Sequence, residues 1–166
     1  MKYLIFIFTF YLSISLFSQD MTVAKMGAIF KKEAAEIEDQ GGVWHMTYRG
    51  RLLLVVTDTD ANRMRIFTPI MEAKDLLPGQ KEKMLSANFD SALDAKYSVY
   101  QGFVMSVFTH PLKELYEPQL VDAMKQVAVL AETFGTSYQS TDMVFGGATK
   151  SEEPKINQSP GKEKKN

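Results

Sequence analysis

The side chains best suited to catalysis or metal binding are few and widely spaced in this sequence. The two histidines, His45 and His110, lie 65 positions apart and lack the spacing with which a helix presents paired metal ligands. The chain contains no cysteine, which excludes thiol catalysis and thiolate metal sites. We therefore expect surface or partly buried roles for both histidines, with no metal and no cofactor.

One acidic segment, Asp58–Asn62, matches the opening ligands of a calcium-binding loop. The rest of such a loop is missing, because Arg63 stands where the sharp turn needs glycine and Pro69 stands where a bidentate glutamate is needed. Asp and Asn are also favoured in tight turns. The segment is therefore predicted to be a hairpin turn.

Serine and carboxylate catalysis lacks a supporting pattern as well. A nucleophilic serine usually sits on a strained turn beside a base, and the Gly-x-Ser-x-Gly motif does not occur. Ser86 and Ser91 fall in a predicted helix, and Ser106 falls in a predicted strand. Glu36 and Asp39 have the spacing of solvated surface charges on a helix. The sequence therefore predicts that the protein is not an enzyme.

Four residues on predicted strands are the candidates for binding a partner or a ligand: Trp44, Met46, Arg63 and Arg65. Trp44 and Met46 alternate onto one face of their strand, whereas the arginines project from the polar face of another. The chain has ten methionines, which fit either an adaptable core or a pliable binding surface. The arginines fit either a basic binding strip or a solubilising surface.

The N-terminal residues 1–18 have the pattern of a cleaved signal peptide. Lys2 supplies the positive charge, residues 3–17 form an uncharged and mostly apolar stretch, and Ser18 offers a small residue at the cleavage position. The alternative is a membrane anchor, which needs about 20 strongly apolar residues. No cysteine is available for lipid attachment. We expect a periplasmic or secreted protein with no stable membrane span after cleavage.

Composition predicts one α+β domain over residues 20–145, followed by a disordered polar tail over residues 146–166. The chain is 45% apolar, which suffices for a core without disulfides. Residues 20–149 carry 13 Lys and Arg against 17 Asp and Glu, a net charge of −4. A nucleic-acid-binding surface needs the opposite sign, so no nucleic-acid partner is expected.

Hydrophobic periodicity predicts three helices and about five strands. The helices are expected near residues 22–40 and 80–95 and from Pro118 to Gly135. The apolar stripe of the first is Val23, Met26, Phe30, Ala34 and Ile37, and that of the second is Met84, Leu85, Phe89, Ala92 and Leu93. Strands are expected at 43–48, 52–57, 63–70, 97–100 and 103–109. The order α-β-β-β-α-β-β-α predicts helices packed on an antiparallel sheet.

Several of these residues also resemble a known family over roughly residues 22–137. The matching features are Trp44 after a helix, Gly50–Leu53, Arg63–Ile66, Leu85–Phe89 and Gly102–Val104, together with Lys96, Leu115, Leu120 and Ala123. They resemble the YbjN-like group of putative sensory transduction regulators, which shares the fold of type III secretion chaperones. The resemblance implies a domain that is often dimeric, works through protein contacts and has no catalytic residues.

Two functional hypotheses from different classes follow. The first is an exported, non-enzymatic protein-interaction or chaperone-like module that forms a homodimer and binds an unidentified protein through its exposed sheet face or an apolar helix edge. The second is a carrier of a small apolar ligand, with a pocket beneath a curved sheet. The residues expected to line that pocket are Trp44, Tyr48, Tyr97, Phe103 and Phe108.

Overall fold

Six antiparallel strands and three α-helices form the part of the chain that the computed structural model describes, residues 20–143. The elements are α1 (Val23–Glu33), β1 (Ala35–Asp39), β2 (Val43–Tyr48), β3 (Arg51–Asp58), β4 (Arg63–Glu72), α2 (Gln80–Asp90), β5 (Lys96–Tyr100), β6 (Phe103–His110) and α3 (Glu117–Glu132). The predicted signal peptide and the predicted polar tail lie outside the described residues. The α+β class and the three helices are confirmed.

The strands form one sheet in the order β1-β2-β3-β4-β6-β5. Strands β2, β3 and β4 form a meander, and β5 and β6 form a hairpin that joins β4 through β6. The hairpin turns at Gln101 and Gly102, which both have positive φ angles, 47° and 81°. A two-residue turn with two positive φ angles matches the right-handed twist of its strands.

The first predicted helix is too long, because α1 ends at Glu33 and the residues that follow form the edge strand β1. Ala34 is already extended, and Glu36 takes a positive φ of 50° at an irregularity in the pairing with β2. Pairing β1 with β2 satisfies backbone groups that β2 would otherwise leave free at the edge of the sheet. The strand count is therefore six rather than five.

The second predicted helix is also too long, and its apolar stripe is partly wrong. Helix α2 ends at Asp90, and it turns Met84 and Ala87 toward the core. Leu85 and Phe89 are 70% and 85% exposed. Asn88 fixes this orientation, because its side chain donates to the carbonyl of Tyr97 and accepts from the Tyr97 N–H.

One face of the sheet carries the hydrophobic core beneath α1 and α3. Inward residues of the strands alternate in sequence, as in Leu53 and Val55 of β3 and Met64 and Ile66 of β4. Helix α3 begins at Glu117 with Pro118 in its first turn, as predicted, and buries residues that include Leu120, Met124, Val127 and Leu130. Among the described residues, no α-helix or strand covers the other face of the sheet.

Candidate protein-binding surfaces

The four candidate residues do not come together in one site. Trp44 and Met46 are each 1% exposed and belong to the core. The ring of Trp44 packs edge-on against Phe30 of α1, with centroids 5.1 Å apart. Arg63 and Arg65 are exposed and project from the opposite face of the sheet. Met26, Met64 and Met124 lie in the core as Met46 does. These positions favour an adaptable core over a pliable binding surface as the role of the methionines.

The predicted ligand pocket is not assembled either. Tyr97 packs against Phe134 and Tyr138 on the helix side, and its hydroxyl donates to the Leu130 carbonyl at 2.8 Å. Burial raises the pKa of Tyr97 well above its ordinary value. Phe103 lies on the opposite face of the sheet and is partly exposed. The five predicted lining residues therefore do not surround a common cavity.

A broad apolar surface lies on the uncovered side of the sheet, and we call it the open face. Cross-strand registers place its side chains in rows, such as Leu54 opposite Phe67 and Phe67 opposite Val107. The apolar residues of the open face are Leu52, Leu54, Val56, Phe67, Tyr100, Phe103, Met105 and Val107, and the same registers place His45, Thr47 and Ser98 beside them. A large contiguous apolar surface with a polar rim is typical of an interaction site.

Arginines border the open face on β4. Arg65 lies between Val56 and Thr109 and donates from Nε to the Thr109 hydroxyl at 3.1 Å. Arg63 donates to the Asn62 carbonyl at 2.8 Å. Neither arginine forms an ion pair with any of residues 20–143. Both guanidinium groups therefore keep N–H donors available for a carboxylate on a partner.

In the turn between β3 and β4, the carboxylate of Asp58 binds a backbone N–H group of the turn itself. The carboxylate of Asp58 accepts the Ala61 N–H at 2.8 Å, and Asn62 has a positive φ of 52°. Asn62 then links this turn to the β6–α3 loop, donating to the Glu114 carboxylate at 2.9 Å and accepting the Lys113 N–H. The hydrogen bond from Asn62 lowers the pKa of Glu114 below its ordinary value.

A cleft of about 800 Å³ lies beside β6, and sequence reasoning missed it. It is lined by Asn88, Phe89, Leu93, Asp94, Lys96, Phe108, Thr109, His110 and Gln119. The His110 ring stacks on Phe108 with an interplanar angle of 4°. Nδ1 of His110 lies 2.7 Å from the Pro111 carbonyl, and Nε2 lies 3.2 Å from the amide nitrogen of Gln119. These contacts fix the ring as one wall of the cleft.

An exposed apolar stripe runs along α2 and the turn before it. Leu77 and Leu85 are both well exposed, and Phe89 continues the stripe toward the cleft. Leu85 and Phe89 are four positions apart, which places them on adjoining turns of one side of α2, whereas Leu77 lies in the turn before the helix. Like the open face, the stripe is an apolar surface left without cover by the described residues.

Residues 20–143 contain neither a candidate metal centre nor a candidate membrane span. In that range no three His, Asp or Glu side chains approach closely enough to share a metal ion. The helices of the same range are too short or too polar to cross a bilayer.

Comparison with known proteins identifies a structural likeness. No family model matches the chain, and no curated protein is similar to it in sequence. A chain of the HopA1–SchA chaperone–effector complex matches with a TM-score of 0.53 at 15% identity, over 68% of this chain and 92% of that chain. At this level of identity the likeness concerns the fold alone. The chain has a chaperone-like α+β fold.

Proposed function

We propose that this protein is a non-enzymatic binding module that holds a segment of a partner protein on its open face. The observation that carries the proposal is that the second face of the sheet is apolar and uncovered. When stability alone governs an antiparallel sheet, the solvated face is typically polar. Here Leu54, Phe67 and Val107 occupy consecutive strands on that face. The chaperone-like fold supports a role in protein binding.

The chemistry of the open face specifies the kind of segment that fits it. Burying its side chains yields about 25 cal/mol per Å² of apolar area, and a specific interface of standard size covers about 800 Å² on each partner. Arg63 and Arg65 lie at one border with donors available. The matching segment is amphipathic, with an apolar side toward the sheet and carboxylates near the two arginines.

The proposal also covers export of the chain and its kinship with YbjN-like proteins. We infer that residues 1–18 direct the chain out of the cytoplasm and are removed, which leaves a periplasmic or secreted protein. The supporting features are the charge and apolarity of that segment. Kinship with YbjN-like proteins is supported by the residue pattern and by the chaperone-like fold. Mass spectrometry of the native N-terminus tests export, and a chain that retains Met1 or its neighbours would contradict it.

A homodimer also belongs to the proposal, with a second copy covering Leu77 and Leu85 of the α2 stripe and leaving Phe89 to the cleft. Leu85 is the most suitable probe, because it is 70% exposed at the centre of α2. In a two-fold dimer the same patch meets itself, so one substitution acts twice. Leu85→Asp is expected to halve the mass measured by light scattering. A wild-type monomer at micromolar concentration would contradict the dimer without affecting the open-face proposal.

Photo-crosslinking in the producing cell tests the open face directly. A photoreactive phenylalanine analogue is placed at position 52 on the open face or at position 99, whose valine is equally exposed on the helix side of β5. The proposal predicts a discrete adduct from position 52 and no adduct, or a much weaker one, from position 99. Equal labelling from both positions would contradict a specific binding face.

A further inference from the structure

The two strands of the β5–β6 hairpin have unequal lengths, and the difference leaves a free backbone edge in the cleft. Strand β5 begins at Lys96, opposite Val107, whereas β6 continues to His110. The two-residue turn makes Tyr100 and Phe103 a hydrogen-bonded pair.

In an antiparallel ladder every second residue points its N–H and C=O to the same neighbour. Met105 and Val107 therefore bond toward β5, and Thr109 is the next residue on that side. Within residues 20–143, no backbone hydrogen bond is found for Thr109 on that side.

A buried glutamine of α3 prevents the chain from closing this gap. Gln126 is 2% exposed, and its Oε1 accepts the N–H groups of Asp94 and Ala95 at 3.1 and 3.2 Å. Its Nε2 donates to the Asp122 carboxylate at 2.7 Å. The chain before β5 is thus held toward α3 and away from β6. The free edge at Thr109 is a consequence of this buried polar anchor, not of a frayed strand end.

The ammonium group of Lys96 is also committed to the backbone. It donates to the carbonyls of Asn88 at 2.6 Å and of Leu93, which itself has a positive φ of 48°. Asp94, in contrast, is exposed and forms no ion pair with a described residue, and its carboxylate accepts only a long hydrogen bond of 3.5 Å from Gln126 Nε2. The Asp94 carboxylate therefore keeps acceptor capacity for a cationic side chain in the cleft.

We propose that this cleft binds an extended peptide segment of a partner protein, with a large apolar side chain next to a lysine or arginine. The peptide backbone pairs with the N–H and C=O of Thr109, at the edge position that β5 does not reach. The apolar side chain packs between Phe89 and the stacked rings of His110 and Phe108, and the basic side chain contacts Asp94. The ligand is a peptide because the cleft combines an unpaired strand edge with an apolar pocket at side-chain distance.

The cleft and the open face meet at Thr109, whose hydroxyl accepts from Arg65, but their apolar residues differ, so either proposal can fail alone. Leu52→Asp alters the open face and is expected to leave peptide binding in the cleft unchanged. The variant Leu85→Asp, which separates the proposed dimer, is expected to bind the peptide as well as the wild type does. Loss of binding in that variant would show that the peptide site requires a second copy and would overturn the proposal as stated.

The test uses the full chain and a synthetic hexapeptide library measured by fluorescence polarisation. Each peptide has one Leu, Ile, Phe or Tyr beside a Lys in a Ser, Thr and Gly background, and a matched library replaces the Lys with Glu. We expect the Lys peptides to bind at least tenfold more tightly than the Glu peptides. Methylation of the peptide nitrogens is expected to abolish binding, because it removes the donors that pair with the strand edge.

Two substitutions distinguish the proposed contacts from general damage to the fold. Asp94→Lys is expected to reverse the preference, so that Glu peptides bind more tightly than Lys peptides, whereas Asp90→Lys on α2 makes the same charge change outside the cleft and preserves it. Thr109→Pro removes the free N–H without breaking a backbone hydrogen bond of residues 20–143 and is expected to weaken binding about tenfold, the effect of losing about 1.4 kcal/mol. It also removes the hydroxyl that accepts from Arg65 Nε, so Thr109→Val, which loses that hydroxyl and keeps the N–H, is the control and is expected to bind like the wild type.

Three results would overturn the proposal. The first is equal binding by the wild type and Thr109→Pro, and the second is an unchanged preference in Asp94→Lys. The third is binding that appears only after residues 144–166 are deleted, which would show that the chain's own C-terminal segment, not a partner, occupies the cleft.

Discussion

The two faces of the sheet are built by the same strands and yet have opposite relations to the rest of the molecule. Ile66 and Phe67 are neighbours in β4, but Ile66 is fully buried under the helices, whereas Phe67 lies between Leu54 and Val107 with no helix above it. Both faces carry large apolar side chains, although Arg63 and Arg65 of β4 lie only on the open face. The comparison teaches that one face stabilises this fold and that the other is available to a partner.

The largest expected effect is a difference in folding stability between variants of Ile66 and Phe67. Ile66→Ala is expected to lower the free energy of unfolding by about 2–5 kcal/mol, because it leaves a cavity in a packed core. Phe67→Ala should cost much less, because its ring already contacts solvent and leaves no closed cavity. Urea denaturation measures both variants. Equal losses would mean that the open face is part of the core and would break the comparison.

The next effect concerns the polar anchor that joins the helices to the hairpin. Gln126→Ala leaves the N–H groups of Asp94 and Ala95 without their acceptor, and an unpaired buried group such as the Ala95 N–H costs about 1–3 kcal/mol. We expect Gln126→Ala to be destabilised by about 2 kcal/mol or more, and Gln119→Ala, at the cleft rim, by much less. Hydrogen exchange of Ala95 that remains slow in Gln126→Ala would contradict this role.

A smaller effect is expected at the arginine border of the open face. Arg65→Glu should slow association with the captured partner severalfold at low salt, with the difference shrinking as salt screens the charges. Arg49→Glu makes the same change in the exposed β2–β3 turn and should leave the association rate unchanged. Stopped-flow kinetics measures both rates. Equal slowing in the two variants would indicate a general charge effect rather than a specific border.

The smallest expected effect is the pH dependence contributed by Glu114. Its pKa is lowered in the folded state by the hydrogen bond from Asn62. A lowered folded pKa gives stability that is fully present above the unfolded pKa and is lost as the pH falls through the folded pKa. The stability difference between wild type and Glu114→Gln should therefore shrink on acidification below about pH 4. A difference that grows on acidification would contradict the assigned direction.

Much of the fold could be predicted from local sequence signals. Pro118 marks the start of α3, and Gln101 with Gly102 marks the β5–β6 turn, because each residue restricts or permits particular backbone angles. The edge strand β1 was missed since Glu36-Ile37-Glu38 fits a strand as well as the surface of a helix. Only pairing with β2, which is a non-local contact, decides between them.

The candidate surfaces were less predictable, because burial depends on which element arrives from a distance. Leu85 and Phe89 have the spacing of a buried stripe, yet Asn88 clamps Tyr97 and rotates them outward. The cleft depends on Gln126 reaching Ala95, residues 31 positions apart. No local sequence pattern predicts a contact over that separation. The alternation of Trp44 and Met46 predicts that they share one face of β2, but it does not show which face the helices cover.

One measurement tests the central claim, that the open face is a binding surface, most directly. It is the affinity with which the partner captured by crosslinking from position 52 binds the wild type, Leu52→Asp and Val99→Asp. Leu52 and Val99 are matched probes, because they are 50% and 49% exposed on opposite faces of the sheet. A charge buried at an apolar interface should weaken binding by Leu52→Asp at least tenfold, while Val99→Asp binds like the wild type. Equal affinities for Leu52→Asp and the wild type would contradict the claim.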